Sequence, residues 1–247
     1  MNFLSLLKRK FIYRLKKKIS IDKDEIHDES LDKLFHLYGS DKANLFKIDN
    51  SQGHGFSKYY VQHLEKKKNQ KLNILEIGSF SGASAAAFKK YFPKSRVFCF
   101  DVNISKFQYT SKKIEVHGLD INNKEKVKNT LKNIFLKYQF ENFDFIIDDG
   151  SHKLSDILFS LNFFFKVLKP GGIFVIEDFK HPNYFHHYKD IEDIFIDELI
   201  DKISKKEFFN SSILKQDDQK YLFSSIDSIN VYKGNLQTSD ICFISKI

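Results

Sequence analysis

The sequence is poor in cysteine and contains no tryptophan. Its two cysteines, Cys99 and Cys242, lie inside apolar runs typical of buried strands, so neither is expected to join a disulfide framework. Reduced thiols of this kind favour a cytoplasmic location. The chain also lacks an apolar run long enough for a transmembrane helix, and it contains no internal repeat and no low-complexity tract.

Acidic residues are absent from the first twenty positions, which carry seven basic residues. Apolar side chains recur there every four positions, at Phe3, Leu7, Phe11 and Leu15, which predicts an amphipathic basic helix over residues 1–20. It is no signal peptide, because its apolar stretch is very short and the basic residues follow it. Such a helix either touches an anionic membrane peripherally, docks on a partner subunit of a homo-oligomer, or simply exposes a solvated basic face. It supplies much of the net charge of +8, so that charge is weak evidence for a nucleic-acid partner.

The length of 247 residues suits one α/β domain with appendages, and the hydrophobic fraction of 42% is that of a globular protein. After the basic helix we expect a helical cap or lid over residues 21–70, divided by a polar loop, and a main domain over residues 71–247. Apolar runs predict strands at 72–77, 96–100, 113–118, 143–147, 173–176, 229–232 and 241–247.

Helical patterns separate most of these strands, and this alternation predicts an α/β fold. We expect a Rossmann-like, doubly wound, mostly parallel seven-stranded sheet with N-terminal helices. The connection between the last two strands is too short for a helix, so the last strand should be antiparallel.

A glycine-containing loop follows the first strand of the main domain, with the pattern E-x-G-x-x-x-G over residues 76–82. Asp101 ends the next strand, where it is expected to accept hydrogen bonds from ribose hydroxyls. Dinucleotide sites use G-x-G-x-x-G around a pyrophosphate, whereas this loop has the bulky Phe80, which favours S-adenosylmethionine. Asp120, after the third strand, is expected either to hold the adenine amino group or to remain a solvated loop carboxylate.

Acidic residues also follow the fourth and fifth strands, as Asp148-Asp149-Gly-Ser-His152 and Glu177-Asp178. If these strands are neighbours, Asp149, Glu177 and Asp178 crowd together, and clustered carboxylates repel unless a cation lies between them. Oxygen ligands favour Mg²⁺, with Mn²⁺ or Ca²⁺ as alternatives.

His152 lies close enough to that site to act as a general base on an acceptor hydroxyl. The alternative is that Asp148 and Asp149 bind ribose or cap the next helix, with His152 as a buried partner of a carboxylate.

Five motifs between residues 30 and 180 resemble those of metal-dependent class I sugar O-methyltransferases, which act on deoxysugars of macrolide antibiotics and have relatives in surface-polysaccharide pathways. These motifs are Tyr38-Gly-Ser-Asp-Lys42, His54-Gly-Phe-Ser57 with Tyr59, Glu76-Ile-Gly-Ser, Asp148-Asp-Gly-Ser-His152, and Lys169-Pro-Gly-Gly followed by Glu177-Asp178. The chain departs from the family by inserting residues 43–53 between the first two motifs.

The resemblance implies that residues 71–247 form an S-adenosylmethionine-dependent methyltransferase domain. It implies Asp149, Glu177 and Asp178 as Mg²⁺ ligands, with His152 and Asp149 as catalytic residues. The expected cofactor-binding residues are Ser40, Lys42, Glu76, Gly78, Ser79, Ser84, Asp101, Asp120 and Asp148. The expected substrate-binding residues are Tyr38, Asp41, His54 and Tyr59. The acceptor would be a sugar, either nucleotide-activated or a precursor of a surface polysaccharide such as a capsule.

Other functions stay open at this point. A catechol-type O-methyltransferase shares the same metal chemistry, and a phosphoryl-group methyltransferase or a non-enzymatic binding module fits the same fold. Nucleic-acid enzymes that methylate amino groups usually carry an Asn/Asp-Pro-Pro-aromatic motif after the fourth strand, and Asp-Asp-Gly-Ser-His stands in that place. No role is assigned to His181, His186 and His187, which are expected to decorate a loop.

Overall fold

The computed structural model of the chain describes residues 3–23, 25, 28–191 and 193–247. Its helices are α1 (Phe3–Leu15), α2 (Leu31–Tyr38), α3 (Ser57–Leu64), α4 (Ala83–Tyr91), α5 (Lys124–Tyr138), α6 (Leu154–Phe164), α7 (His181–Tyr184), α8 (Ile196–Lys205) and α9 (Gln216–Ser225). Its strands are β1 (Ile19–Ser20), β2 (Asn73–Ile77), β3 (Arg96–Asp101), β4 (Tyr109–Thr110), β5 (Ile114–Gly118), β6 (Phe143–Asp148), β7 (Leu168–Glu177), β8 (Ile226–Lys233) and β9 (Asp240–Lys246). The chain divides into two compact units, residues 1–140 and 141–247.

The predicted seven-stranded sheet is present. Within residues 1–140 its strands follow the order β5-β3-β2 and are parallel. Within residues 141–247 the order is β6-β7-β9-β8, with β6 and β7 parallel and β9 antiparallel to both of its neighbours. The α/β class, the parallel pairing and the antiparallel last strand are therefore confirmed.

In the first unit, local capping and aromatic packing position the helices around the sheet. Helix α2 begins after Ser30, whose side chain accepts a hydrogen bond from a backbone N–H three residues on, and it ends at Gly39 with a φ of 78°. Phe88 of α4 lies edge-on to Phe35 of α2 and to Tyr60 of α3, with ring centroids 5.2 Å apart in each pair. These fully buried rings join the three helices.

In the second unit, the Lys169-Pro-Gly-Gly motif lies inside β7 rather than before it. Phe143 of β6 pairs with Leu168 and Phe145 pairs with Ile173, so the residues between Leu168 and Ile173 bulge out of the ladder. The strand therefore begins earlier than the predicted residue 173. The bulge also explains how a Pro-Gly-Gly stretch is accommodated within a strand.

Several elements were not predicted, namely α7, α8, α9 and the parallel pair of two-residue strands β1 and β4. The β1–β4 pairing joins Ile19 to Tyr109, which is distant in the sequence, so no local sequence pattern predicts it. Helix α8 does carry a local signal, because its buried residues Ile196, Leu199, Ile200 and Ile203 follow helical spacing. Among the described residues, no helix is both long enough and apolar enough to cross a membrane.

Candidate active site

The loop after β2 turns tightly at its two glycines. Gly78 and Gly82 have φ values of 84° and 79°, in the left-handed region that favours glycine. A Cβ atom on Gly82 would lie 2.4 Å from the ring of Phe107. Packing therefore requires glycine at position 82, because a larger residue would displace the buried ring of Phe107.

Two serines and a buried acid hold the start of this loop. Glu76 is fully buried at the end of β2 and accepts a hydrogen bond from Ser84 Oγ of α4. Ser79 Oγ donates to the Glu76 backbone oxygen at 3.3 Å. A buried carboxylate is stable only when it is hydrogen-bonded or paired, so Ser84 is a structural partner of Glu76.

Asp101, the last residue of β3, closes the same loop. Its Oδ2 accepts a hydrogen bond from the backbone N–H of Phe80 at 2.7 Å, and its Oδ1 accepts one from the backbone N–H of Asn103. The structure therefore brings Glu76, Ser79 and Asp101 to one loop, as predicted for cofactor-binding residues. Asp120 lies outside these contacts, after β5, where its Oδ1 accepts a bond from Asn122 N at 3.1 Å.

The inserted residues 43–53 fold back on themselves. Leu45 and Gln52 form an antiparallel bridge near the base of the insertion. A Cβ atom on Gly53 would lie 2.2 Å from the Ala43 oxygen, so the two arms approach as closely as glycine allows. The insertion therefore loops out locally.

The two motifs on either side of the insertion remain neighbours. The backbone N–H of His54 donates to the Asp41 oxygen at 2.7 Å, and that of Phe56 donates to the Lys42 oxygen at 2.9 Å. His54 Nε2 lies 3.7 Å from Asp41 Oδ2. The predicted substrate residues Asp41 and His54 are thus brought together, although the sequence separates them by the insertion.

The other predicted residues of this segment differ in exposure. Lys42 is 1% exposed, which is unusual for lysine, and Ser40 is also buried. The ring of Tyr38 packs edge-on against Tyr109 at 5.3 Å. Tyr59 is half-buried. Their roles at a cofactor or substrate stay predictions.

In the second unit, β6 and β7 are parallel neighbours, as expected, and Asp148 at the end of β6 pairs with Ile176 of β7. This register brings the residues that follow each strand to the same edge of the sheet. The ligand atoms of Asp149, His152 and Asp178 lie within 4.8 Å of one another. Two members of the predicted cluster, Asp149 and Asp178, are therefore brought together, with His152 beside them.

Glu177 was predicted as a third metal ligand, and among the described residues it is outside that group of close ligand atoms. It is 2% exposed and pairs with Ile241 of β9, whereas Asp178 follows the strand with a φ of 49°. The turn at Asp178 separates the two neighbouring carboxylates, because residue 177 still has strand geometry. Glu177 as a ligand stays a prediction.

Backbone strain marks both loops. Phe80, His152 and Asp178 have φ values of 42°, 58° and 49°, which is uncommon for residues other than glycine. Four other described non-glycine residues have positive φ: Gln139 and Lys206, which end helices, and the exposed Asp28 and Asn50. Strained residues of this kind concentrate at ligand sites, and three of the seven lie in the two candidate loops.

Burial makes the second site electrostatically unusual. Asp148 is 5% exposed, and desolvation raises its pKa to about 6. The negative charge of Asp149 raises the pKa of Asp148 further, while His152 opposes the shift. Negative charge is thus costly at this strand end, which is the condition that a bound cation relieves.

His181 belongs to the neighbourhood of His152, which the sequence did not predict. The two rings are 4.9 Å apart, and His181 Nε2 lies 4.0 Å from Asp178 Oδ1. Tyr188 adds a third ring, 5.4 Å from His181 and 6.4 Å from His152. The position of His181, three residues after Asp178, matches that of His152 three residues after Asp149, and this repeated spacing was the available signal.

Comparison with known proteins agrees with this geometry. Residues 75–179 match the family model described as a methyltransferase domain. The chain is 29% identical over 132 residues to mycinamicin VI 2''-O-methyltransferase of Micromonospora griseorubida, covering 51% of this chain and 31% of that protein. It is 33% identical over 155 residues to L-olivosyl-oleandolide 3-O-methyltransferase of Streptomyces antibioticus, covering 60% of this chain and 36% of that protein. The resemblance to sugar O-methyltransferases is confirmed.

The fold is shared with a solved structure of the MycE methyltransferase from the mycinamycin biosynthetic pathway, in complex with Mg, SAH and mycinamycin VI. The TM-score is 0.67 at 22% identity, over 89% of this chain and 55% of that chain. The chain spans about a third of the length of the two curated relatives.

Proposed function

We propose that the protein transfers the methyl group of S-adenosylmethionine to a sugar hydroxyl with the help of a divalent cation. The observation that carries this proposal is the convergence of Asp149, His152 and Asp178, whose ligand atoms lie within 4.8 Å of one another. Support comes from the relatives, which are named for O-methylation of sugar-bearing compounds, and from the solved MycE complex with Mg and SAH.

The loop of residues 76–82 would bind the cofactor. Its two glycines adopt the left-handed backbone conformation that shapes a tight turn, and Asp101 is hydrogen-bonded to the Phe80 N–H of this loop. A carboxylate has about four acceptor positions, and the two backbone bonds that Asp101 accepts leave capacity for ribose hydroxyls. The further predicted contacts are Ser40, Lys42, Glu76, Ser79, Asp120 and Asp148, and Ser84 acts through Glu76.

Asp149 and Asp178 would hold the metal ion, with Glu177 as a predicted third ligand. Carboxylate oxygens suit Mg²⁺, and a nearby imidazole is compatible with Mn²⁺ as well. Bound there, the cation stabilises the negative charge that develops on the acceptor oxygen.

His152 would take the proton of the acceptor hydroxyl at Nε2. That atom lies 3.9 Å from Asp149 Oδ1, longer than a hydrogen bond, so the ring is near the carboxylate without being bonded to this oxygen. Orientation of the ring and local electrostatics are what the protein contributes to the proton transfer.

The acceptor class follows from the relatives rather than from the geometry. Two of them are named for methylation of olivosyl and rhamnosyl groups on larger compounds, so both free nucleotide sugars and attached sugars are candidate acceptors. A surface-polysaccharide precursor, a cytoplasmic location and a homo-oligomer stay predictions.

The test is methyl transfer from radiolabelled S-adenosylmethionine to a panel of acceptors. The panel contains nucleotide-activated sugars, rhamnosyl and olivosyl glycosides, and a catechol, each assayed with Mg²⁺ and with EDTA. We expect methylation of a sugar, and we expect this activity to be lost in EDTA and restored by added Mg²⁺. Preferential methylation of the catechol would contradict the acceptor class, and sugar methylation that persists in EDTA would contradict the metal site alone.

A further inference from the structure

Helix α1 exposes a continuous apolar stripe. Leu4, Leu7, Phe11 and Leu15 are 70%, 46%, 62% and 71% exposed. Their spacing of three or four residues places them along one side of the helix. The stripe contains three members of the predicted series, while the side chain of its fourth member, Phe3, lies outside the described part of the chain.

The opposite side of α1 holds the helix in place. Leu6 is buried, and the Tyr13 ring lies edge-on to Phe107 at 6.3 Å. Arg9 Nη1 donates to the Val102 oxygen at 3.0 Å. Because the helix is anchored through these contacts, its exposed stripe is a fixed outward surface of the first unit.

Positive charge accompanies this stripe. Lys8 and Arg14 are exposed on the helix, Lys17 is exposed just after it, and no acidic residue occurs in positions 1–20. A second copy of α1 packed on this stripe would bring like positive charges together. Electrostatic repulsion therefore disfavours self-association through this surface. An anionic surface is complementary, and long basic side chains beside an apolar stripe extend towards lipid headgroups.

We propose that α1 lies flat on the surface of an anionic lipid bilayer, with its apolar stripe inserted among the acyl chains and its basic residues among the headgroups. The binding mode is that of an interfacial helix, which combines apolar burial with electrostatic attraction. The proposal rests on the α1 surface alone and does not depend on the methyl-transfer reaction.

The proposal is tested by flotation of the full chain with vesicles. One set contains phosphatidylcholine and phosphatidylglycerol at about 7:3, and the other contains phosphatidylcholine alone. Since each basic residue near an anionic surface contributes about fivefold in affinity, we expect much stronger binding to the first set, weakened by salt. The variant L7S/F11S should bind at least about tenfold more weakly, because it removes inserted apolar area.

Matched controls use α5, another basic helix with an exposed leucine. Leu136 is 69% exposed, and Lys128 and Lys132 are exposed on the same helix. We expect L136S and K128E/K132E to bind vesicles like the unchanged protein, whereas K8E/R14E loses affinity for the anionic vesicles. Thermal melts by circular dichroism verify that every variant is folded.

Three outcomes would overturn the proposal. The first is equal binding to both vesicle sets, and the second is an equal loss of binding in the α1 and α5 variants. The third is absence of vesicle binding together with dissociation of an oligomer by L7S/F11S in light scattering, which would assign the stripe to protein contact.

Discussion

The two candidate loops treat their acidic groups differently. In the first unit, the acids are hydrogen-bonded to groups of the protein: Glu76 accepts from Ser84 Oγ of α4, and Asp101 accepts from the Phe80 N–H at 2.7 Å. These hydrogen bonds hold the acidic side chains of the first loop in place without a ligand, and a ligand bound there would add contacts to them.

In the second unit, Asp149 and Asp178 lie near imidazoles, while Asp148 accepts a hydrogen bond from the Gly150 N–H at 3.2 Å. His152 Nε2 lies 3.9 Å from Asp149 Oδ1, and His181 Nε2 lies 4.0 Å from Asp178 Oδ1. Both distances are longer than a hydrogen bond. Burial also raises the pKa of Asp148 to about 6. This difference agrees with the proposed roles, in which the first loop would bind an organic cofactor and the second would bind a metal ion that compensates its concentrated charge.

The sharpest test of this difference is removal of charge at the second loop. Asp149→Asn and Asp178→Asn keep the side-chain shape, and we expect either change to lower methyl transfer by about a thousandfold or more, because the cation no longer stabilises the developing charge. Mn²⁺ binding, followed by electron paramagnetic resonance, should fall in parallel. S-adenosylmethionine binding, measured by calorimetry, should change little. Unaltered Mn²⁺ binding in both variants would contradict the proposed metal site at the second loop.

Replacement of the imidazole separates proton transfer from metal binding. His152→Gln should lower turnover by about a hundredfold or more, the usual contribution of a general base, while the affinity for S-adenosylmethionine stays the same. His181→Gln serves as the matched control, since it alters the second imidazole of the same cluster, and its effect on turnover should be smaller. Equal losses in the two variants would indicate that both rings only pack the site.

A change at the first loop should have the opposite signature. Asp101→Asn removes the charge that closes the loop and that we propose binds the ribose, and we expect S-adenosylmethionine to bind about 10- to 100-fold more weakly, as for loss of charged hydrogen bonds. Mn²⁺ affinity should stay within about twofold of the original value, because the metal ligands lie in the other unit. Loss of Mn²⁺ binding in this variant would contradict the proposal that the cofactor and the metal ion bind to different loops.

The smallest expected effect uses the two cysteines as reporters. Cys99 lies in β3 of the first unit and Cys242 in β9 of the second, and both are fully buried with raised thiol pKa values caused by burial. A thiol reagent therefore reaches them only when the chain opens. At ten times its dissociation constant, a ligand should slow labelling about tenfold, S-adenosylmethionine at Cys99 and Mg²⁺ at Cys242. Equal slowing of both thiols by either ligand would mean that the two units open together.

Most of the fold was predictable because the period of apolar residues is a local property. The strands of the sheet begin or end within a few residues of their predicted positions. The largest difference is at β7, which begins at Leu168 rather than at the predicted residue 173 because a bulge accommodates the residues between them. A bulge depends on the partner strand, which a local pattern does not contain.

The candidate site was predictable only in part, for a related reason. Asp149 and Asp178 were expected together, since acids that follow neighbouring parallel strands reach the same edge of the sheet. Membership of His152 in the cluster, and the separation of Glu177 from it, depend on left-handed turns at residues 152 and 178. Such strained turns are sustained by surrounding packing and have no signature in the residue pattern.

By itself, the sequence determined which chemical groups stand at each strand end, because strand limits and acidic motifs are both local features of the chain. Only the tertiary structure decided which of those groups meet. It joined Asp41 to His54 across an eleven-residue insertion, it placed His181 beside His152, and it buried Leu6 while leaving Leu7 on the surface. Contact and burial depend on what the rest of the chain packs against each residue, and spacing along the sequence does not specify that.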